Sequence, residues 1–201
     1  MAKHKKRSKN NQDELVRTGN PPAPPDEELD AYWKSLGQRL GQLTYYVDSC
    51  AILSCLVPDD DYFRNLLTKE LNTYRLFTSS HVVVETVRRL ARRTSAPYPF
   101  RGPANEQDAD LAVYLVSRWL AEHRVEVVCV PESVYELGRA NFERYKYLKG
   151  WDLTDALSTE IVKGLKQQSI ISGDKGFLEQ GIMLMPSDAW TRYRDQSWMF
   201  E

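Results

Sequence analysis

Cysteine is scarce in this chain of 201 residues: Cys50, Cys55 and Cys129 form no even set and lack metal-site spacing. A disulfide framework is therefore excluded, and the three thiols suit a reducing compartment. Long apolar runs are missing too. No stretch approaches the ~18 residues of a membrane span. The basic start MAKHKKRSKN is not followed by the apolar segment of a secretory signal. Nor does one charge dominate, because 27 Lys+Arg face 28 Asp+Glu for a formal charge of −1. That excludes a uniformly basic nucleic-acid binder and leaves room only for local basic patches. No internal repeat is visible. The expectation is a soluble, cytoplasmic chain with no membrane contact, its 42% hydrophobic residues enough for one domain with an appendage.

The appendage is at the start. Lys3, Lys5, Lys6, Arg7 and Lys9 precede polar sequence and the run Pro21, Pro22, Pro24 and Pro25. Such composition cannot bury enough apolar area to offset the entropy of ordering, so residues 1–25 read as a disordered tail. It is first a solubilising tail and second a weak, salt-sensitive nucleic-acid tether. Asp26–Gln42 reads as a helix, with acids in its first turn and Tyr32, Leu36 and Leu40 four apart. Residues 26–43 are thus a helical extension, packed on the domain or on a partner, and 44–201 the main domain.

From Leu43 the pattern alternates. Strands are expected at Leu43–Val47, Arg75–Thr78, Val125–Val130, Ser169–Ser172 and Met183–Met185. Helices are expected from Cys50, over Tyr62–Tyr74, from a Ser79 or Ser80 cap, and over Asp108–His123, Glu132–Leu148 and Asp155–Lys166. Pro131 suits the first turn of the helix at Glu132. Ala96–Asn105, with three prolines and a glycine, reads as a loop. Strands separated by helices predict an α/β sandwich around a mostly parallel sheet, whose ligands sit beyond the carboxyl ends of the strands.

Acids occupy those ends. Asp48 closes the first strand in LTYYVDSC, and Asp174 follows another in SIISGDKGF. Glu85 lies in the opening turns of a helix in SSHVVVETVRRL, and Asp155 starts another in DLTDALS. Parallel strands would bring all four to one rim, where carboxylates repel unless a cation joins them. Oxygen donors without His or Cys suit Mg²⁺ or Mn²⁺, and a pair of such ions can activate water against a phosphodiester. Each acid also has a plainer role: Asp48 and Asp174 in turns, Glu85 paired with Arg88 or Arg89, Asp155 facing a helix dipole. Asp152 reads first as a helix cap and second as a further ligand. Ser49 either orients a carboxylate or water, or is an ordinary turn residue.

In their order along the chain, VDSCAILSCL, VVVETVRRL, LTDALSTEIV and SIISGDKGF resemble the successive motifs of the PIN domain, particularly the ribonuclease toxins of bacterial toxin–antitoxin (VapC-type) systems. The likeness covers about residues 44–187. It implies a PIN-like three-layer sandwich, with Asp48, Glu85, Asp155 and Asp174 as catalytic acids holding Mg²⁺ or Mn²⁺. By the same resemblance the substrate is RNA and the partners are a cognate antitoxin and a second copy in a homodimer. The N-terminal tail and helix, and the long Glu85-to-Asp155 interval, are additions to the minimal pattern.

Arg88, Arg89, Arg92 and Arg93 place four guanidiniums within six residues, with Arg89, Arg92 and Arg93 near one face. They suit phosphate contacts; a solvated face or one receiving an acidic peptide is the alternative. Tyr135, Phe142 and Tyr145 fit helical core spacing better than base stacking, and Trp151 is a further stacking candidate. Cys50 and Cys55 read as core residues. A haloacid-dehalogenase-type phosphotransferase would want an acid two residues after Asp48, where Cys50 stands. A PIN-like scaffold that binds RNA or protein without cleaving is the other alternative to a nuclease.

Overall fold

β1 (Thr44–Val47) forms the middle of a sheet because both of its faces are apolar. Tyr46 and Val47 adjoin in sequence, point to opposite sides, and are both fully buried. Ile170 and Ile171 do the same in β4 (Ser169–Ile171). In the computed structural model, which describes residues 27–41, 44–56, 62–67, 74–94, 106–148 and 150–186, five strands run in the order β3-β2-β1-β4-β5. β2 is Arg75–Ser79, β3 Glu126–Val128 and β5 Met183–Met185. Every pairing is parallel, with Tyr46 opposite Phe77 on one side and Ile170 on the other. The sheet is thus wholly parallel, and β1 is where the chain order reverses, the place in such sheets where a crevice opens.

Helices cover both faces. α2 (Ser49–Leu56), α4 (Ser80–Thr94) and α5 (Glu106–Glu122) share a small core of Leu53, Leu90, Ala91, Ala112 and Val116. α6 (Glu132–Tyr145) and α7 (Leu153–Gly164) pack together, while α3 (Tyr62–Asn65) and α8 (Gly176–Glu179) are single turns. Apart from the helix expected over Tyr62–Tyr74, of which α3 is a single turn, the expected strands and helices are present, with ends shifted by a few residues. Pro131 is one such shift. It stands before α6 in extended backbone (φ −71, ψ 162) rather than inside the first turn. The strand expected over Val125–Val130 is only Glu126–Val128.

α1 (Glu27–Leu40) has acids in its first turn and ends at Gly41, whose φ of +79 suits glycine and whose N–H bonds Gly37 O at 3.0 Å. Leu36 and Leu40 enter the main core, a burial worth roughly 1.5–3 kcal/mol each. Trp33 lies flat against Gly164, where any Cβ would collide with the indole. Arg39 reaches Glu126 at 2.7 Å and the Tyr32 hydroxyl donates to Cys129 O at 3.1 Å. α1 therefore packs on the sheet domain itself. The tail over residues 1–25, the loop over 96–105 and residues 68–73 of the helix expected over Tyr62–Tyr74 lie outside the described residues.

Candidate active site

The four acids come from four elements and meet at the carboxyl ends of the strands. Asp48 follows β1 directly, its N–H bonded to Ile171 O at 3.0 Å, so the β1–β4 ladder fixes its backbone. Its Oδ2 accepts the Ser172 hydroxyl at 2.9 Å, while Oδ1 is buried with no hydrogen-bond partner among the described residues. Ser172 also accepts the Asp174 N–H at 3.0 Å. The Cys50 thiol donates to the same oxygen at 3.2 Å and accepts the Gly173 N–H at 3.2 Å. Asp174 Oδ1 takes the Gly176 N–H at 2.7 Å, at a glycine whose missing Cβ leaves room for Trp151 and for that carboxylate. A hydroxyl and a thiol thus stitch the loop after β4 to the start of α2.

The other two acids ride on helices. α4 starts where Ser79 Oγ accepts the Val82 N–H at 3.3 Å, which sets Glu85 in its second turn. α7 starts with a reciprocal cap: Asp152 Oδ1 accepts from Thr154 N at 2.7 Å and Asp155 N at 3.1 Å, and Asp155 Oδ2 accepts from Asp152 N at 2.9 Å. Under both helices lies Tyr46, its hydroxyl between Ser79 Oγ and Ser158 Oγ, each 2.9 Å away. Asp155, expected at the helix start, stands at the third helical position, its carboxylate turned back to the cap.

Electrostatics record the convergence. Burial pushes Glu85 up to about 8; Asp152 and Asp48 add to the rise, while Arg89 and the Ser49 hydroxyl oppose it. Burial raises Asp155 well above the carboxylate range, with Asp152, Asp48, Asp174 and Glu85 all pushing the same way. Asp174 is also raised, first by burial, against the pull of the Gly176 N–H. Arg89 stands among them. Its Nη2 contacts Glu85 Oε1 and lies 3.5 Å from Asp152 Oδ2. Burial opposes its charge, but the surrounding carboxylates outweigh burial and hold it cationic more firmly.

Not every expected residue joins the pocket. Arg88 and Arg92 are exposed on α4, and the Arg93 side chain lies outside the described residues. Trp151, a candidate for stacking, is buried edge-on against Phe177, so it is a core residue. Phe142 and Tyr145 pack against the main core, and Tyr135 is half-buried beside His81. Burial raises the Cys50 thiol well above its usual value, which keeps it protonated and unsuited to nucleophilic attack. Ser172 was missed by sequence reading; its signal was the Ser-Gly-Asp spacing at a strand end. A separate cleft of about 600 Å³ opens at the other end of the strands, between Gly37, Thr44, Lys166 and Ser169, with no carboxylate in its lining.

Does the pocket fit a hard divalent ion? Its donors are carboxylate oxygens, Asp48 Oδ1 is buried and unpartnered, and three acids are held in their protonated direction. These are the properties a cation would relieve. Among the described residues no three His, Cys, Asp or Glu side chains already form a cage, so side chains would have to turn inward on loading.

Comparison with known proteins bears on the family and the fold. The family profile of the PIN domain matches residues 45–182. VapC20 of Mycobacterium tuberculosis, a sarcin-ricin loop cleaving toxin, superposes with a TM-score of 0.54 at 19% identity over 69% of this chain and 96% of that one. VapBC2 of Rickettsia felis, solved bound to a DNA fragment from its promoter, gives 0.48 at 15% identity over 71% and 97%. No curated protein matches by sequence.

Proposed function

The chain belongs to the PIN domain family, a family of nucleases, and from that premise we propose that it is a Mg²⁺- or Mn²⁺-dependent endoribonuclease acting as the toxin of a toxin–antitoxin pair. The observation that carries this reading is the mutual approach of four remote carboxylates, those of Asp48 and Asp155 buried, with Asp48 Oδ1 left without a hydrogen bond among the described residues. Asp48, Glu85, Asp155 and Asp174 would hold the ions. When bound, the ions would lower the pKa of attacking water and stabilise the leaving oxygen of the phosphodiester.

The chain's own residues supply the rest. Ser172 fixes Asp48 through Oδ2, and Oδ1, which has no hydrogen-bond partner among the described residues, is the oxygen assigned to the ion. Gly176 N–H and Ser172 orient Asp174. Asp152 is foremost the α7 cap and sets Asp155; its second oxygen faces Arg89. Ser49, buried beside Glu85, steadies that carboxylate. The exposed Arg92 of α4, with Arg93 beside it in sequence, is the proposed contact for the RNA backbone. A homodimer and a cognate antitoxin are the partners that this reading entails, and the cytoplasm is its compartment.

The test is cleavage of RNA in Mg²⁺ or Mn²⁺, with EDTA and Asp48→Asn as controls. Cleavage lost in both controls supports the enzyme. RNA binding that survives both, with no cleavage in any metal, would favour the non-catalytic scaffold. A small reading frame beside the gene, whose product binds the chain and stops cleavage, is the check on the toxin role.

A further inference from the structure

Arg89 sits inside the pocket that was expected to be closed by metal, and its neighbours explain how it stays there. Helical spacing sets it one turn from Glu85, so the two meet without any contribution from the tertiary fold. Packing then buries the pair: the Glu85 side chain is only 10% exposed and that of Arg89 32%. The guanidinium has a second anchor at the pocket mouth. Asp152 commits Oδ1 to the α7 cap and turns Oδ2 towards Arg89, with its side chain 42% exposed. An ion coordinated by Glu85 would sit against this guanidinium, like charge beside like charge, in a site that water screens poorly. Asp48 also faces this charge, but it is held by a neutral hydrogen bond from Ser172 and not by the guanidinium itself.

We propose that Arg89 is a resident counter-cation that exchanges with a divalent ion at Glu85, the displaced guanidinium held by Asp152 at the rim. Metal loading and the release of the guanidinium from Glu85 are then one event, the arginine staying paired with Asp152 throughout. The inference rests on reading the acids as a metal site. It differs from that reading in what it requires of Arg89, which acts by holding and releasing a carboxylate and is a positioning residue.

The experiment compares the full-length protein with Arg89→Gln and Arg89→Lys by calorimetric titration with Mn²⁺ and by thermal unfolding in EDTA. Arg89→Gln is expected to bind Mn²⁺ about tenfold or more tightly than the wild type, as removal of one cation from a shielded acidic site implies. It should melt lower in EDTA and gain more from Mn²⁺, with Arg89→Lys between the two. Equal or weaker Mn²⁺ binding by Arg89→Gln would overturn the exchange and leave the metal reading intact. No Mn²⁺ binding by either protein would overturn both. Should Arg89→Gln fail to fold, the wild type still decides the matter. Titration with diamagnetic Mg²⁺ should shift the ¹⁵N resonance of the Arg89 Nε–H, identified by its loss in Arg89→Lys. A resonance that stays in place at Mg²⁺ saturation overturns the exchange.

Discussion

The two walls of the acidic pocket are built by different means. On the β1–β4 side, Asp48 and Asp174 are tied by neutral groups: the Ser172 hydroxyl, the Cys50 thiol and backbone N–H groups of the same loop. On the α4–α7 side, Glu85 is met by a charged and partly exposed guanidinium, and Asp155 turns back into its own helix cap. Neutral hydrogen bonds to backbone hold one geometry. An ion pair on a long side chain can be traded for another cation. One wall is therefore a template and the other a gate.

The largest effect expected from that contrast is on the template side. Asp48→Asn should lower metal-dependent cleavage by at least about a hundredfold, read as initial rates at saturating Mn²⁺, while leaving the thermal midpoint in EDTA unchanged or higher. A rate within a few-fold of wild type would end the proposed role of Asp48.

Next comes pH, and here the gate should dominate. Glu85 is raised to about 8 in the folded protein, with Asp155 and Asp174 shifted the same way. Acids raised above their unfolded values favour folding fully at low pH and lose that contribution as pH climbs through the folded values. Metal-free protein should therefore lose thermal stability between about pH 5 and about pH 8, and divalent ions should restore most at the alkaline end. Glu85→Gln should flatten the slope. A profile unchanged by that substitution would remove Glu85 from the account.

Much of this was legible in the sequence, for a local reason. Asp48 and Asp174 follow strands, and strand ends in a parallel sheet share a rim, so the strand pattern and the order of the motifs together pointed to them. The Asp152 cap could be read from three residues. Arg89 could not be placed in the same way. An i,i+4 pair with Glu85 was one of its readings, but whether that pair faces solvent or other acids depends on how α4 packs against α7. Ser172 was hidden for a similar reason, since its partner Asp48 is 124 residues away. The arginine-rich face divided too, with Arg89 turned inward and Arg92 left exposed.

A smaller effect tests the stitching of the template. Ser172→Ala leaves Asp48 Oδ2 and the Asp174 N–H without their shared partner, and should cost about 1–3 kcal/mol in chemical unfolding. Weaker Mn²⁺ binding should accompany it, because Asp48 loses its fixed orientation. The smallest effect separates cap from gate. Asn caps a helix nearly as well as Asp, so Asp152→Asn should change stability by only a few tenths of a kcal/mol, whereas Asp152→Ala should cost about 1 kcal/mol. Equal losses in the two variants would mean that the charge of Asp152, and not its cap, supports α7.

The strand order also dictates when the pocket can exist. β1 emerges early, yet its second neighbour in the sheet is β4, and Asp174 comes after that. Closing so long a loop is slow, and the contacts that reward it arrive only once β4 has docked. A nascent chain that has not yet reached β4 carries Asp48 and Glu85 on an unfinished sheet, with the fourth acid yet to be translated. Whatever chemistry the acids perform, it waits until β4 and Asp174 have been made and docked.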